Sequence, residues 1–289
     1  MYRRSFLRFM SISAAAAICR RGSFASPCCA GGLADKADQP PTKMPRYRID
    51  PRDFEAGEAD IRAVCNSAGM QLWRYFPDYE LEPLLVRHGG QGPISLFERN
   101  GEKEIVIQLD VEGTYWSQFA YQFAHEFCHV LCGFREQGRS NLWFEETLCE
   151  TASLFALRGM AREWKESPPY PNWAGYRDSL RDYADDIMRG RKHLAAIERH
   201  GLAALLNTHA AELRQNPTQR ELTGAMAIVL LNLLEREPTH WEAVRWLNAT
   251  PAPESEAFPA YLARWQNAVP ERRQAFVVEI AKLYGVRFD

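Results

Sequence analysis

The sequence predicts an α+β fold, with a small β-sheet towards the front and an all-α back half. Short apolar runs that suit strands are confined to residues 81–109, whereas helical spacing of apolar residues dominates from 115 onwards. No internal repeat at a fixed period interrupts this order.

In chain order, residues 31–46 carry Gly31-Gly32 and Pro40-Pro41 and read as a linker, with structure expected from Tyr47. Between 53 and 73, the positions of Ile61, Val64, Cys65, Met70 and Leu72 allow a helix. Three strands are expected at 81–86, 94–97 and 105–109. Asn100-Gly101 between the last two is a type I′ hairpin signal, because both central residues of that turn need positive φ. A second helix is expected over 115–132, stopped by Gly133 as the residue beyond its C-cap. After a polar loop, a third helix should run over 142–157, and nearly everything beyond Asn172 reads as helix. The apolar run at 225–231 is too short to span a membrane and is broken by Asn232, so it reads as a core helix. A sheet-bearing subdomain at 47–165 followed by a helical one at 166–289 is therefore expected.

With 46% hydrophobic and 25% charged residues, the 289-residue chain has ordinary globular composition. Its formal charge of −2 already includes Arg3, Arg4, Arg8, Arg20 and Arg21, so the rest of the chain is more acidic still. That argues against nucleic acid as a partner. Seven cysteines are too sparse for a disulfide scaffold.

Residues 1–30 read as a targeting segment. Arg3-Arg4-Ser5-Phe6-Leu7-Arg8 precedes a mildly apolar, alanine-rich stretch ending at Cys19, then Arg20-Arg21. The pattern resembles a bacterial twin-arginine export signal, with cleavage after Ala25 or Ala30, which implies a periplasmic or extracellular protein. Once the signal is removed, no integral membrane segment is expected.

The chemistry concentrates in His125-Glu126-Phe127-Cys128-His129, an HExxH motif. On a helix, positions i and i+4 lie on one face about one turn apart, so both imidazoles can reach one zinc ion, and Glu126 can address a water on it. Downstream, Leu142-Trp143-Phe144-Glu145-Glu146-Thr147-Leu148-Cys149-Glu150 places carboxylates on the next helix, which an antiparallel pairing would bring opposite the motif. Counting outward from the loop, Glu145 and Glu146 fall level with His129, and Cys149 and Glu150 level with His125. Glu146 can supply the third ligand, with Glu145 or Glu150 as alternatives. Glu150 is expected to accept a hydrogen bond from the distal nitrogen of His125 and fix its tautomer. Three protein ligands leave a fourth position for water, the catalytic rather than the structural arrangement.

The neighbouring thiols are set aside by helix geometry. Cys132 lies about 10.5 Å along the axis from His125, too far to share an ion with both histidines, and Cys128 is turned about 100° from His129. Both are expected to be buried small hydrophobes, a Cys128–Cys149 bridge being the alternative in an oxidising compartment.

Over residues 80–155 these segments resemble the gluzincin branch of the HExxH metallopeptidases, in which a Trp-x-x-Glu segment on the following helix supplies the zinc-binding Glu, here Glu146 of Trp143-Phe144-Glu145-Glu146. Thr147 stands where the family commonly has Gly, and no Gly-Ala-Met-Glu-Asn exopeptidase signature is present. The resemblance implies a zincin-like fold, a small sheet packed on the motif helix, and one catalytic Zn2+ held by His125, His129 and Glu146. It also implies peptide-bond hydrolysis with Glu126 as general base. The strand at 104–110 would form the sheet edge that pairs with extended peptide or protein substrate. A His or Tyr would stabilise the oxyanion, with His193, His200, His209, Tyr170, Tyr176 and Tyr183 as candidates. The competing expectation is a non-catalytic zinc- or peptide-binding envelope protein on the same scaffold; retention of Glu126 favours catalysis.

Overall fold

Among the described residues the first regular element is strand β1 (Tyr47–Ile49). The computed structural model of the chain describes residues 43–135 and 138–288; the expected leader and most of the linker lie outside the described residues. Helix α1 (Glu58–Trp73) returns the chain to strand β2 (Leu84–His88), followed by β3 (Ile94–Leu96) and β4 (Ile105–Leu109). The sheet runs β1-β2-β4-β3, with β1, β2 and β4 parallel and β3 antiparallel to β4. β1 is a fourth strand beyond the three expected from the sequence. Helix α1 starts later than 53 because Asp53 takes φ 67°, a left-handed conformation that no helix continues.

Two expectations about the sheet are corrected. β4 is not an edge: it lies between β2 and β3, with Leu84 opposite Ile105 and Val86 opposite Ile107 on one buried face. The edge strands are β1 and β3. The connection between β3 and β4 is also not a two-residue type I′ turn, since neither Asn100 nor Gly101 is among the positive-φ residues; Lys103 is, at 60°. Asn100 and Glu104 close a three-residue loop through an N–H to O bond of 3.1 Å, while the Asn100 side chain accepts from the N–H groups of Glu102 and Glu104. That is the pattern of a turn ending in a left-handed residue, organised by the Asn side chain rather than by Gly.

Helix α2 (Trp116–Leu131) carries the HExxH motif, and all its residues except Gln118 are buried. A helix apolar nearly all round belongs in a core. It packs on α1 and the sheet on one side and on α3 (Leu142–Glu163) on the other. Phe127, wholly buried, stacks on Phe123 at 5.5 Å and meets Trp73 of α1. Its truncation to Ala would cost about 3–5 kcal/mol. Helix α2 ends where Gly133 adopts φ 84°, as expected. Glycine is also needed there for space, because a Cβ would meet the carbonyl oxygen of Arg245 at 3.1 Å.

Helix α3 runs past the expected 157 to Glu163 and is buried over most of its length. The back half is helical as expected: α4 (Arg177–Arg189), α5 (Leu194–Gln215, broken at Gly201), α6 (Arg220–Arg236), α7 (Phe258–Ala268) and α8 (Glu271–Leu283). The apolar run at 225–231 sits in α6 against α3, a core segment. Among the described residues no helix is long and apolar enough to cross a membrane. One hydrophobic cluster runs from Ile49 to Val286, so the sheet-bearing front and the helical back share a core.

Candidate metal centre

Polar groups in the middle of this core are confined largely to the seam between α2 and α3. His125, Glu126 and His129 on α2 face Glu145, Glu146 and Glu150 on α3, and all six are buried. Packing the two helices antiparallel brings the carboxylates opposite the imidazoles, as the outward count from the loop anticipates.

Glu146 lies between the two rings. One of its oxygens is 3.3 Å from His125 Nε2 and the other 3.7 Å from His129 Nε2. Ligand atoms held about 2.0–2.1 Å from one tetrahedral zinc lie about 3.3 Å from one another. The two spacings, each to a different Glu146 oxygen, are close to that value, and two neutral imidazoles with a carboxylate are a donor set zinc accepts. The Cys149 thiol also comes within 4.8 Å of a nitrogen of each imidazole and is a competing donor.

The two histidines are held differently. His129 Nδ1 is 2.6 Å from Glu145 Oε1, and Glu145 Oε2 accepts from Asn248 Nδ2 at 2.9 Å. Asn248 is itself fixed, since its N–H donates to the Cys132 carbonyl at 3.1 Å and Tyr261 approaches its side-chain oxygen at 3.5 Å. This chain turns His129 Nε2 towards Glu146. His125 Nδ1, by contrast, is buried with no hydrogen-bond partner among the described residues. The expected bond from it to Glu150 is not formed. Glu150 instead accepts from the Tyr121 hydroxyl and from the Arg191 guanidinium. Burial would raise the Glu150 carboxyl, but Arg191, with Arg220 behind it, holds it below the usual glutamate value. Burial and the Glu150 charge together push the Tyr121 hydroxyl well above the usual phenol value, so it stays a donor. Gly224 makes room for this network: a Cβ there would lie 2.4 Å from Arg191 Cζ.

Glu126, beside His125, is 2% exposed and is held by Ser95 from the edge strand β3. The Ser95 hydroxyl lies 3.0 Å from Glu126 Oε2 and 2.9 Å from the Glu126 carbonyl oxygen, so its single proton serves either acceptor. Sequence reasoning missed both Ser95 and Asn248. A lone Ser in a three-residue strand and a lone Asn after a 3-10 segment (Pro238–Trp246) carry no motif.

The expected oxyanion donors are scattered. Tyr170 packs edge-on against Trp173, the Tyr176 hydroxyl accepts from the Ser117 N–H, His193 meets His209, and His200 is exposed. Tyr183 packs against Tyr121 at 6.0 Å, on the Glu150 side, and is pushed up to about 12 by burial and the Glu150 charge.

Cys128 and Cys132 are buried, as expected, and the four cysteines among the described residues are free thiols. Three of them are not scattered, however: the sulfurs of Cys128, Cys132 and Cys149 lie within 4.8 Å of one another. Burial pushes the Cys132 and Cys149 thiols well above the usual range. Against the same cost of burial, hydrogen bonds from those two thiols hold Cys128 well below it.

Two surface cavities, of 620 Å³ beside Arg87, His88 and Gln108 and of 350 Å³ beside Gln71, Arg74 and Glu163, lie away from these residues. Compared with family models, curated proteins and solved structures, the chain matches none.

Proposed function

We propose that this chain is a zinc-dependent peptidase of zincin-like fold, gluzincin in type, exported to the periplasm or beyond. The observation that carries the reading is that the Glu146 carboxylate lies 3.3 Å from His125 Nε2 and 3.7 Å from His129 Nε2, with Glu126 next to His125 on α2. His125, His129 and Glu146 would hold one zinc ion, whose chemistry there is to acidify a water and polarise a peptide carbonyl. Glu126 takes the water proton and delivers it to the leaving amine. Ser95 keeps one carboxylate oxygen of Glu126 in place through its own strand. That strand, β3, ends the sheet, so an extended peptide adding to its outer side would lie along the residues that position the base. Export rests on the resemblance of residues 1–30 to a twin-arginine signal.

A second reading is supported by burial. Each of the three ligand candidates is at most 7% exposed, and neither cavity opens over Glu126. A non-catalytic zinc- or peptide-binding envelope protein would have such a closed site. Glu126→Gln separates the two. Tested on a mixed peptide library, the peptidase loses about 10²–10⁴-fold in turnover while zinc stays bound. Wild-type protein that binds zinc and cleaves no peptide supports the second reading, and protein that holds no zinc defeats both.

A further inference from the structure

The three sulfurs in the α2–α3 seam repeat, a step round the helix, the construction of the histidine site. Cys128 in the last turn of α2 and Cys132 at its C-cap are four residues apart, and Cys149 faces them from α3. All three are fully buried, and their sulfurs lie within 4.8 Å of one another; of the cysteines among the described residues only Cys65 stands apart. Three sulfurs bound at about 2.3 Å to one central atom sit about 4 Å apart in a planar arrangement and roughly 3.5 Å apart in a pyramidal one. A disulfide would require two of them at about 2.05 Å, leaving the third unused.

Charge narrows the occupant. Three thiolates around a divalent ion leave one net negative charge in a cluster whose three residues are wholly buried. An uncompensated buried charge is costly. A trivalent, three-coordinate centre leaves none.

We propose that Cys128, Cys132 and Cys149 form a three-sulfur site for a thiophilic, three-coordinate centre, for which trivalent arsenic supplied as arsenite is the best charge match. Three thiols and As(OH)3 give the tris-thiolate and three waters. Three As–O bonds break and three As–S bonds form, each thiol proton leaves with a hydroxide, and no oxidation state changes. The site differs from the zinc centre in its all-sulfur donor set, although Cys149 also faces the two imidazoles, and it does not depend on the peptidase reading. Because the sulfurs are wholly buried, loading requires the seam to open, so binding is slow and the product long-lived.

The test uses the full, reduced chain with Cys19, Cys28 and Cys29 replaced by Ser, so that N-terminal thiols do not compete. After prolonged incubation with sodium arsenite and gel filtration, about one arsenic per chain is retained, and arsenic X-ray absorption shows three sulfur neighbours. Retention is lost in Cys149→Ser and in Cys132→Ser, and kept in Cys65→Ser and His129→Ala. The sulfur count on the unsubstituted cluster decides the matter even where a variant fails to fold. No retained arsenic, two or fewer sulfur neighbours, binding that survives Cys149→Ser, or a disulfide within the cluster after reduction would each overturn the proposal.

Discussion

The two imidazoles of the centre present opposite designs. His129 is the end of a chain that runs through Glu145 to Asn248, a residue 103 positions from Glu145 in the helical back half. His125 has no such support at Nδ1, and the carboxylate expected to provide it, Glu150, is committed to Arg191 and Tyr121. The difference separates two jobs that one acidic segment of α3 performs. Glu145 and Glu146 serve the centre, while Glu150, one turn on, neutralises a buried guanidinium and ties α3 to the segment before α5. Metal affinity and fold stability should therefore respond to different carboxylates.

The largest expected effect breaks the structural side of this comparison. Glu150→Gln leaves Arg191, whose side chain is 11% exposed, as an unpaired buried charge. Denaturant unfolding of the metal-free protein should show a loss of about 3–5 kcal/mol, with zinc affinity nearly unchanged. The same pair sets an acid sensitivity. The folded Glu150 carboxyl lies below its ordinary value of 4.5, so its contribution is complete above that pH and is lost as pH falls through the folded value. Glu150→Gln should accordingly flatten the acid limb of the stability profile.

On the other side, Glu145→Ala removes the partner that orients His129 and should lower zinc affinity by about 10–100-fold, read by competition with a chelating dye. If Glu150→Gln weakened zinc as much as Glu145→Ala, the division of labour would be wrong. Asn248→Ala acts one link further out and should cost about tenfold in zinc affinity. The smallest effect is on catalysis alone. Ser95→Ala should reduce kcat by about tenfold, the loss of roughly one hydrogen bond to a charged group, with zinc content unchanged and partial rescue by Ser95→Thr.

What the sequence shows of the centre is what lies within one helix or across one short connection. The i, i+4 histidines, the adjacent Glu126 and the carboxylates on the next helix are legible because helical geometry places them without knowledge of the fold. Between Glu145, Glu146 and Glu150, one turn of helix separates very different roles. Choosing among them needs the packing of Arg191 and Asn248, which arrive from distant segments. The sheet teaches the same lesson. Alternation in 105–109 identifies a strand, but whether it is interior or at the edge depends on β2 pairing with β4, a contact that bypasses β3. The small sheet, the core helix at 225–231 and the Gly133 stop were all readable from periodicity and punctuation.

Zinc-edge X-ray absorption on gently purified wild-type protein tests the central claim most directly. The proposed centre predicts about one zinc per chain with only nitrogen and oxygen neighbours at about 2.0–2.2 Å. A sulfur neighbour at about 2.3 Å, which would place Cys149 or the thiol cluster on the ion, or no bound zinc at all, would contradict it.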